Sequence, residues 1–208
     1  MKKVFAFTLA EVLIVISLLG VIAALTLPNL YYEKTKHEYS TRIKYFYSKM
    51  DNAISEMEIE KGSFRDMKKP ADKRAAYSWY MENIDHYMGH TMVKSPTESS
   101  NDWTIFYQDG SSLKNSYVGG CLDMLYDVNG KKGPNRLGND EFMFLFCFGN
   151  GATYFGSDNI FWGTYGDGLR DSSTTRDDII DKCKENQAYC SRLLEYDGWQ
   201  FMEDYPHF

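Results

Sequence analysis

From Val12 to Leu27 the chain carries no charged side chain, and Ser17 and Thr26 are the only polar ones. A helix rises about 1.5 Å per residue, so Phe7 to Leu27 as a helix spans roughly 30 Å, close to the thickness of a bilayer's hydrocarbon core. The run is not explained as part of a soluble domain, and it is long enough to cross a membrane. Its front end holds an acid, Glu11. A carboxylate in lipid is costly unless it is paired, so its presence points to a function.

Two ordinary explanations account for part of this. A secretory signal has an apolar core of roughly 7 to 15 residues followed by a small-residue cleavage site. Here the run is longer, contains an acid, and offers only Ala23-Ala24 as such a site. A plain anchor explains the length and the Lys2-Lys3 flank, but not Glu11.

The N-terminal order is a short basic leader, Met1-Lys-Lys-Val-Phe-Ala6, then Phe7-Thr-Leu-Ala-Glu11 and an uninterrupted apolar helix. It resembles the type IV prepilin signal shared by type IV pilins and the pseudopilins of type II secretion. That resemblance implies cleavage between Ala6 and Phe7 by a prepilin peptidase and methylation of the new amine on Phe7. The family usually has Gly before the cut, where this chain has Ala6. It further implies that Glu11 pairs with the Phe7 amine of a neighbouring subunit, so that two costly charges neutralise each other when helices stack.

The 208 residues leave room for the membrane segment and one further domain. Net charge is −6, and loss of Lys2 and Lys3 with the leader takes it to −8. So acidic a body argues against nucleic acid as the main ligand. Lys2-Lys3 before the span place the N-terminus in the cytoplasm and the body outside. In that oxidising setting the four cysteines favour two disulfides. Three pairings are possible; Cys121 with Cys147 and Cys183 with Cys190 is favoured. The second pair requires a helix break around Asn186-Gln187, because a continuous helix holds residues two turns, roughly 10 Å, apart.

Pro28 follows the apolar run, yet Tyr39, Ile43, Phe46, Met50, Ile54 and Met57 recur at spacings of three and four. The spacing predicts one long helix from Phe7 to about Lys61, ended by Gly62 and roughly 80 Å long if straight. A second helix is predicted from Asp72 to Met88, and a loop from Lys94 to Asp102. Strands are predicted at Trp103 to Tyr107, Cys121 to Tyr126 and Glu141 to Phe148, with a hairpin at Asn150-Gly151 leading to Ala152 to Phe155. The connection from Gly156 to Gly168 reads as a packed loop, and Thr175 to Leu194 as partly helical.

The expected fold class is α+β: a long N-terminal helix, membrane-spanning in its first half, packed on a small antiparallel sheet, which is also what the pilin resemblance implies. The expected divisions are a leader over 1–6, an assembly helix over 7–28, its amphipathic continuation over 29–62, and an extracytoplasmic head over 63–208.

The segment from Asp127 to Asp140 resembles a loop of many pilin-like proteins. Oxygens on Asp127, Asn129, Asn135 and Asp140 could surround a calcium ion. Its opening resembles half of an EF-hand loop, although the twelfth position is Gly138 rather than Glu; a self-bonded Asx-turn loop is the alternative. The ending, from Cys190 to Leu194 and on through Asp197-Gly-Trp-Gln to Tyr205-Pro206, resembles the C-terminus of some bacterial pilin-like proteins.

No catalytic motif is present. His86 and His90 lie four apart, but Gly89 weakens a helix there and no HExxH glutamate exists. The resemblance therefore implies a structural subunit rather than an enzyme, with other pilin or pseudopilin subunits, prepilin peptidase, the inner-membrane assembly machinery and the membrane as partners. Its place would be the inner membrane as a single-pass protein, and a filament or the cell surface after assembly. The alternative is a membrane-anchored extracytoplasmic binding domain that never polymerises.

Overall fold

The computed structural model describes residues 7–149, 154–155 and 162–208. The leader with Ala6, the Asn150-Gly151 turn and Ala152-Thr153 of the expected strand lie outside them, and Tyr154-Phe155, expected to end that strand, are in a 3-10 turn. The chain divides into two compact units, Met1–Glu38 and Tyr39–Phe208.

Helix α1, Leu9–Lys61, belongs to both units and runs through Pro28. It ends where the sequence places Gly62, whose φ of 93° only a residue without a Cβ adopts freely. In the first unit the apolar residues of α1 are exposed, Leu25 at 75% and Leu30 at 65%. In the second unit Ile43, Phe46, Met50, Ala53, Ile54 and Met57 are buried. They form the stripe expected from the spacing, less Tyr39, which is half-buried against the core.

That stripe packs on one six-stranded antiparallel sheet in sequence order. The strands are β1 Met92–Lys94, β2 Thr104–Phe106, β3 Ser112–Val118, β4 Cys121–Asp127, β5 Glu141–Cys147 and β6 Trp162–Thr164. Side chains alternate across a strand, so Phe142, Phe144 and Phe146 of β5 share the core with the α1 stripe. The Phe46 ring stacks on Tyr126 at 3.9 Å between centroids and meets Phe144 edge-on at 5.4 Å. Leu145 and Cys147 pack on the opposite face with Cys121 and Phe155, and Met143 with Leu125 and Ala188. With both faces covered, β5 is buried throughout.

The sheet is larger than the strand signals indicate. β1 begins just before the Lys94 to Asp102 loop, β6 lies inside the connection read as a packed loop, and β3 was not expected as a strand. β1 and β6 have three residues each, too few to display an alternation. In β3 the register shifts between Asn115 and Tyr117, and such a bulge interrupts the period of two.

The expected helix from Asp72 to Met88 is two elements, α2 Lys73–Asn83 and α3 Asp85–Met88, separated at Ile84. Asp72 caps α2 by accepting from the Ala75 N–H at 2.8 Å. Near the C-terminus, α4 Arg176–Glu185 starts with a Thr175/Asp178 capping box and α5 is Cys190–Tyr196. Between them Asn186 leaves helical geometry and caps the short turn Gln187–Tyr189, giving the break that the second cysteine pair requires.

Candidate functional site

The head of α1 shows how Glu11 is held within one chain. Thr8 precedes the helix, and Glu11 is its third residue. The Thr8 N–H and hydroxyl both donate to Glu11 Oε2 at 2.8 Å, and the Glu11 N–H donates to Thr8 Oγ1 at 3.3 Å. This reciprocal capping box satisfies donors that a helix start otherwise leaves open. The signal for it, Thr-x-x-Glu before an apolar run, stands in the sequence. Phe7, at the expected processing point, is 85% exposed.

The two polar side chains of the run also turn inward. Ser17 Oγ donates to Leu13 O at 2.8 Å and Thr26 Oγ1 to Ile22 O at 3.0 Å. Each hydroxyl is satisfied by the carbonyl one turn back, so the surface offered by this stretch is apolar. Among the described residues α1 is the one helix long and apolar enough to cross a membrane, and no residue of its most apolar window is buried within the chain.

The loop after β4 brings all four expected calcium ligands together. Asp127 Oδ1 accepts from the Asn129 N–H at 3.1 Å and the Gly130 N–H at 2.8 Å. Asp140 is fully buried; its Oδ2 accepts from the Asn135 N–H and Asn129 Nδ2, and its Oδ1 from the Arg136 N–H. With its amide turned to satisfy both ends, Asn135 donates to Lys132 O at 2.6 Å. Of the six side-chain oxygens on these residues, Asp127 Oδ1 and both oxygens of Asp140 accept from N–H groups, while the buried Asn129 Oδ1 has no hydrogen-bond partner. The N–H bonds to Asp127 and Asp140 are those of the Asx-turn alternative, and Asn129 Oδ1 is a buried oxygen that a calcium ion would take.

The loop also holds α1. Asn129 Nδ2 donates to the Tyr39 hydroxyl at 2.7 Å as well as to Asp140. Burial pushes the Asp127 carboxyl up to about 6, against the pull of its two N–H donors, and Asp140 and Glu141 add to the rise. Burial alone takes Asp123 on β4 to about 6.

The cysteines are joined as Cys121–Cys147, directly opposite each other on β4 and β5, and as Cys183–Cys190 across the break between α4 and α5. The cross-strand pair has a Cα–Cα distance of 4.3 Å. His86 and His90 do not converge on a shared ion. α3 ends at Met88, Gly89 turns the chain at φ 65°, and His90 Nδ1 lies 2.8 Å from both Asp85 carboxylate oxygens.

Together these features define an α+β protein with an apolar N-terminal helical segment and a disulfide-linked domain built on the continuation of the same helix. The chain belongs to a family of unknown function (DUF6613), whose profile matches residues 29–208. That span begins one residue after Pro28 and takes in the amphipathic part of α1 and the whole sheet domain. No curated protein and no solved structure matches the chain.

Proposed function

We propose that the chain is a structural subunit of a type IV pilus-like or type II secretion pseudopilus filament, processed between Ala6 and Phe7 and polymerised through α1. The observation that carries this reading is the exposed apolar surface of α1 from Leu9 to Leu30, with the Glu11 carboxylate at its head. Removing such a surface from water contributes roughly 25 cal/mol per Å², so lipid or other helices of the same kind must cover it. Other subunits, prepilin peptidase and inner-membrane assembly machinery are the partners of this reading. The head lies outside the cytoplasm, where two disulfides persist.

Glu11 separates this from the anchored, non-polymerising domain. The Thr8 cap gives Glu11 a role in a single helix, so alanine would remove two functions at once. Glu11→Gln retains an acceptor for Thr8 and removes only the charge. Under the filament reading Glu11→Gln abolishes or disorders assembly while membrane retention stays intact; under the anchored reading it changes neither. The first experiment is intact mass and N-terminal sequencing of the chain from cells with and without prepilin peptidase. A mature chain beginning at methylated Phe7, dependent on that enzyme, supports the proposal, and a chain beginning at Met1 or cut near Ala24 defeats it.

A further inference from the structure

The Cys183–Cys190 disulfide has a third neighbour that a purely structural staple does not need. Both sulfurs and a ring nitrogen of His207 lie within 4.8 Å of one another, close enough to share one ion. Three separate elements deliver them: Cys183 from the last turn of α4, Cys190 from the first of α5, and His207 from the C-terminal tail. His207 Nε2 is fixed at 2.8 Å from Cys183 O, and the His207 carbonyl accepts from Asn139 Nδ2 at 2.8 Å.

We propose that, with this disulfide reduced, Cys183, Cys190 and His207 bind a thiophilic cation of the zinc type. A dithiol opens the S–S bond by exchange, leaving as its own cyclic disulfide and handing its two protons to the protein thiols. The cation then displaces both protons and takes two thiolates and one imidazole. Zinc–sulfur bonds of about 2.3 Å and zinc–nitrogen bonds of about 2.0 Å suit donors so placed. The cysteine Cα atoms stand 4.7 Å apart, so once the S–S bond is broken, rotation of the two side chains parts the sulfurs toward an ion.

Access comes from the neighbouring surface. The cysteines are fully buried, but a cleft of about 340 Å³ lined by Arg136, Leu137, Asn139, Gln187 and His207 opens beside the imidazole. It gives the ion an entry path and room for water or the Gln187 amide oxygen as a fourth ligand. Gly138 keeps the wall thin: a Cβ there would stand 3.2 Å from Cys190 Sγ and 3.3 Å from His207 Cδ2. The cysteine spacing is wider than the two to four intervening residues of common zinc motifs, so the sequence gives no sign of the site.

The test uses the full-length chain in detergent, reduced with a dithiol that is then removed under anaerobic conditions, with free thiols counted and cobalt(II) added as the probe. One equivalent of cobalt should bind with thiolate-to-cobalt charge-transfer absorption and the intense visible bands of a four-coordinate ion, and zinc should displace it. Cys183→Ser should reduce the charge transfer, His207→Ala should lose the four-coordinate bands, and Cys121→Ser should keep both. Circular dichroism in the aromatic region accompanies the titration, so that if reduction loosens the fold, the ion is required to restore it. No charge transfer at full thiol count, an unchanged spectrum in His207→Ala, loss of the spectrum in Cys121→Ser, or failure to restore the folded signal each overturns the proposal.

Discussion

The two parts of α1 use similar residues to opposite ends. Between Leu9 and Leu30 the helix is apolar and its side chains are exposed; between Ile43 and Met57 it carries charges on several faces and buries a narrow stripe. A helix is stabilised in a protein mainly by what its apolar face packs against. The second part finds that partner within its own chain, in the aromatic face of the sheet. Among the described residues the first part finds none, and no residue of its most apolar window is buried. The family match, confined to residues 29–208, covers the self-sufficient part.

This contrast is tested most severely at Phe46, whose ring contacts Tyr107, Tyr126, Phe144 and Trp162. Phe46→Ala should cost the sheet domain about 3–5 kcal/mol in denaturant unfolding of the detergent-solubilised chain. Leu19→Ala, at an exposed position of the same helix, should leave that transition where it was. If the two variants behaved alike, the division would fail.

Disulfide removal ranks next. Cys121–Cys147 closes a separation of 26 residues and Cys183–Cys190 one of 7. The chain-entropy relation assigns them about 3.5 and about 2.4 kcal/mol. Serine at Cys147 should therefore lower the unfolding midpoint more than serine at Cys190, each relative to the oxidised parent.

A smaller effect should follow pH. Asp123 and Asp127 titrate near 6 in the fold, above the usual carboxylate value of 3.8. The folded chain thus holds these protons more tightly than the unfolded one between pH 4 and 6, so stability falls as pH rises through that window. The expected loss is about 1 kcal/mol for each. Asp127→Asn keeps an oxygen for the Asn129 and Gly130 N–H groups, and unfolding measured from pH 4 to pH 7 should show its share of the slope removed. The smallest change is expected at Thr8: its replacement by alanine should speed hydrogen exchange at Ala10 and Glu11, with a helix-cap loss of about 0.5–1 kcal/mol, and should not alter unfolding of the sheet domain.

Long or strongly marked patterns were legible in the sequence. The α1 stripe, its stop at Gly62 and the interruption at Asn186 between two helical stretches all express local chemistry over many residues or at one decisive position. The three-residue strands β1 and β6 depend on neighbours distant in sequence, and β3 is interrupted by its bulge. The Asp127 to Asp140 loop illustrates a different difficulty: the same oxygen-rich residues serve a cation or a set of backbone N–H groups, and only their geometry distinguishes the two. Thr8 was readable as a cap, but Glu11 beside it carried a second reading that obscured the first.

The polar side chains along α1 have a mechanical consequence. Arg42 donates to the carbonyls of Asp109 and Val128, Lys49 to that of Met88, and Lys61 to that of Glu82, while Tyr39 is held by Asn129. These attachments are spread along the helix from its entry into the domain to its last turn. Tension applied along α1 would load them side by side, as shear between the helix and the loops and short helices that hold it. A tether built this way resists extraction by sharing the load, and no single bond has to bear the pull.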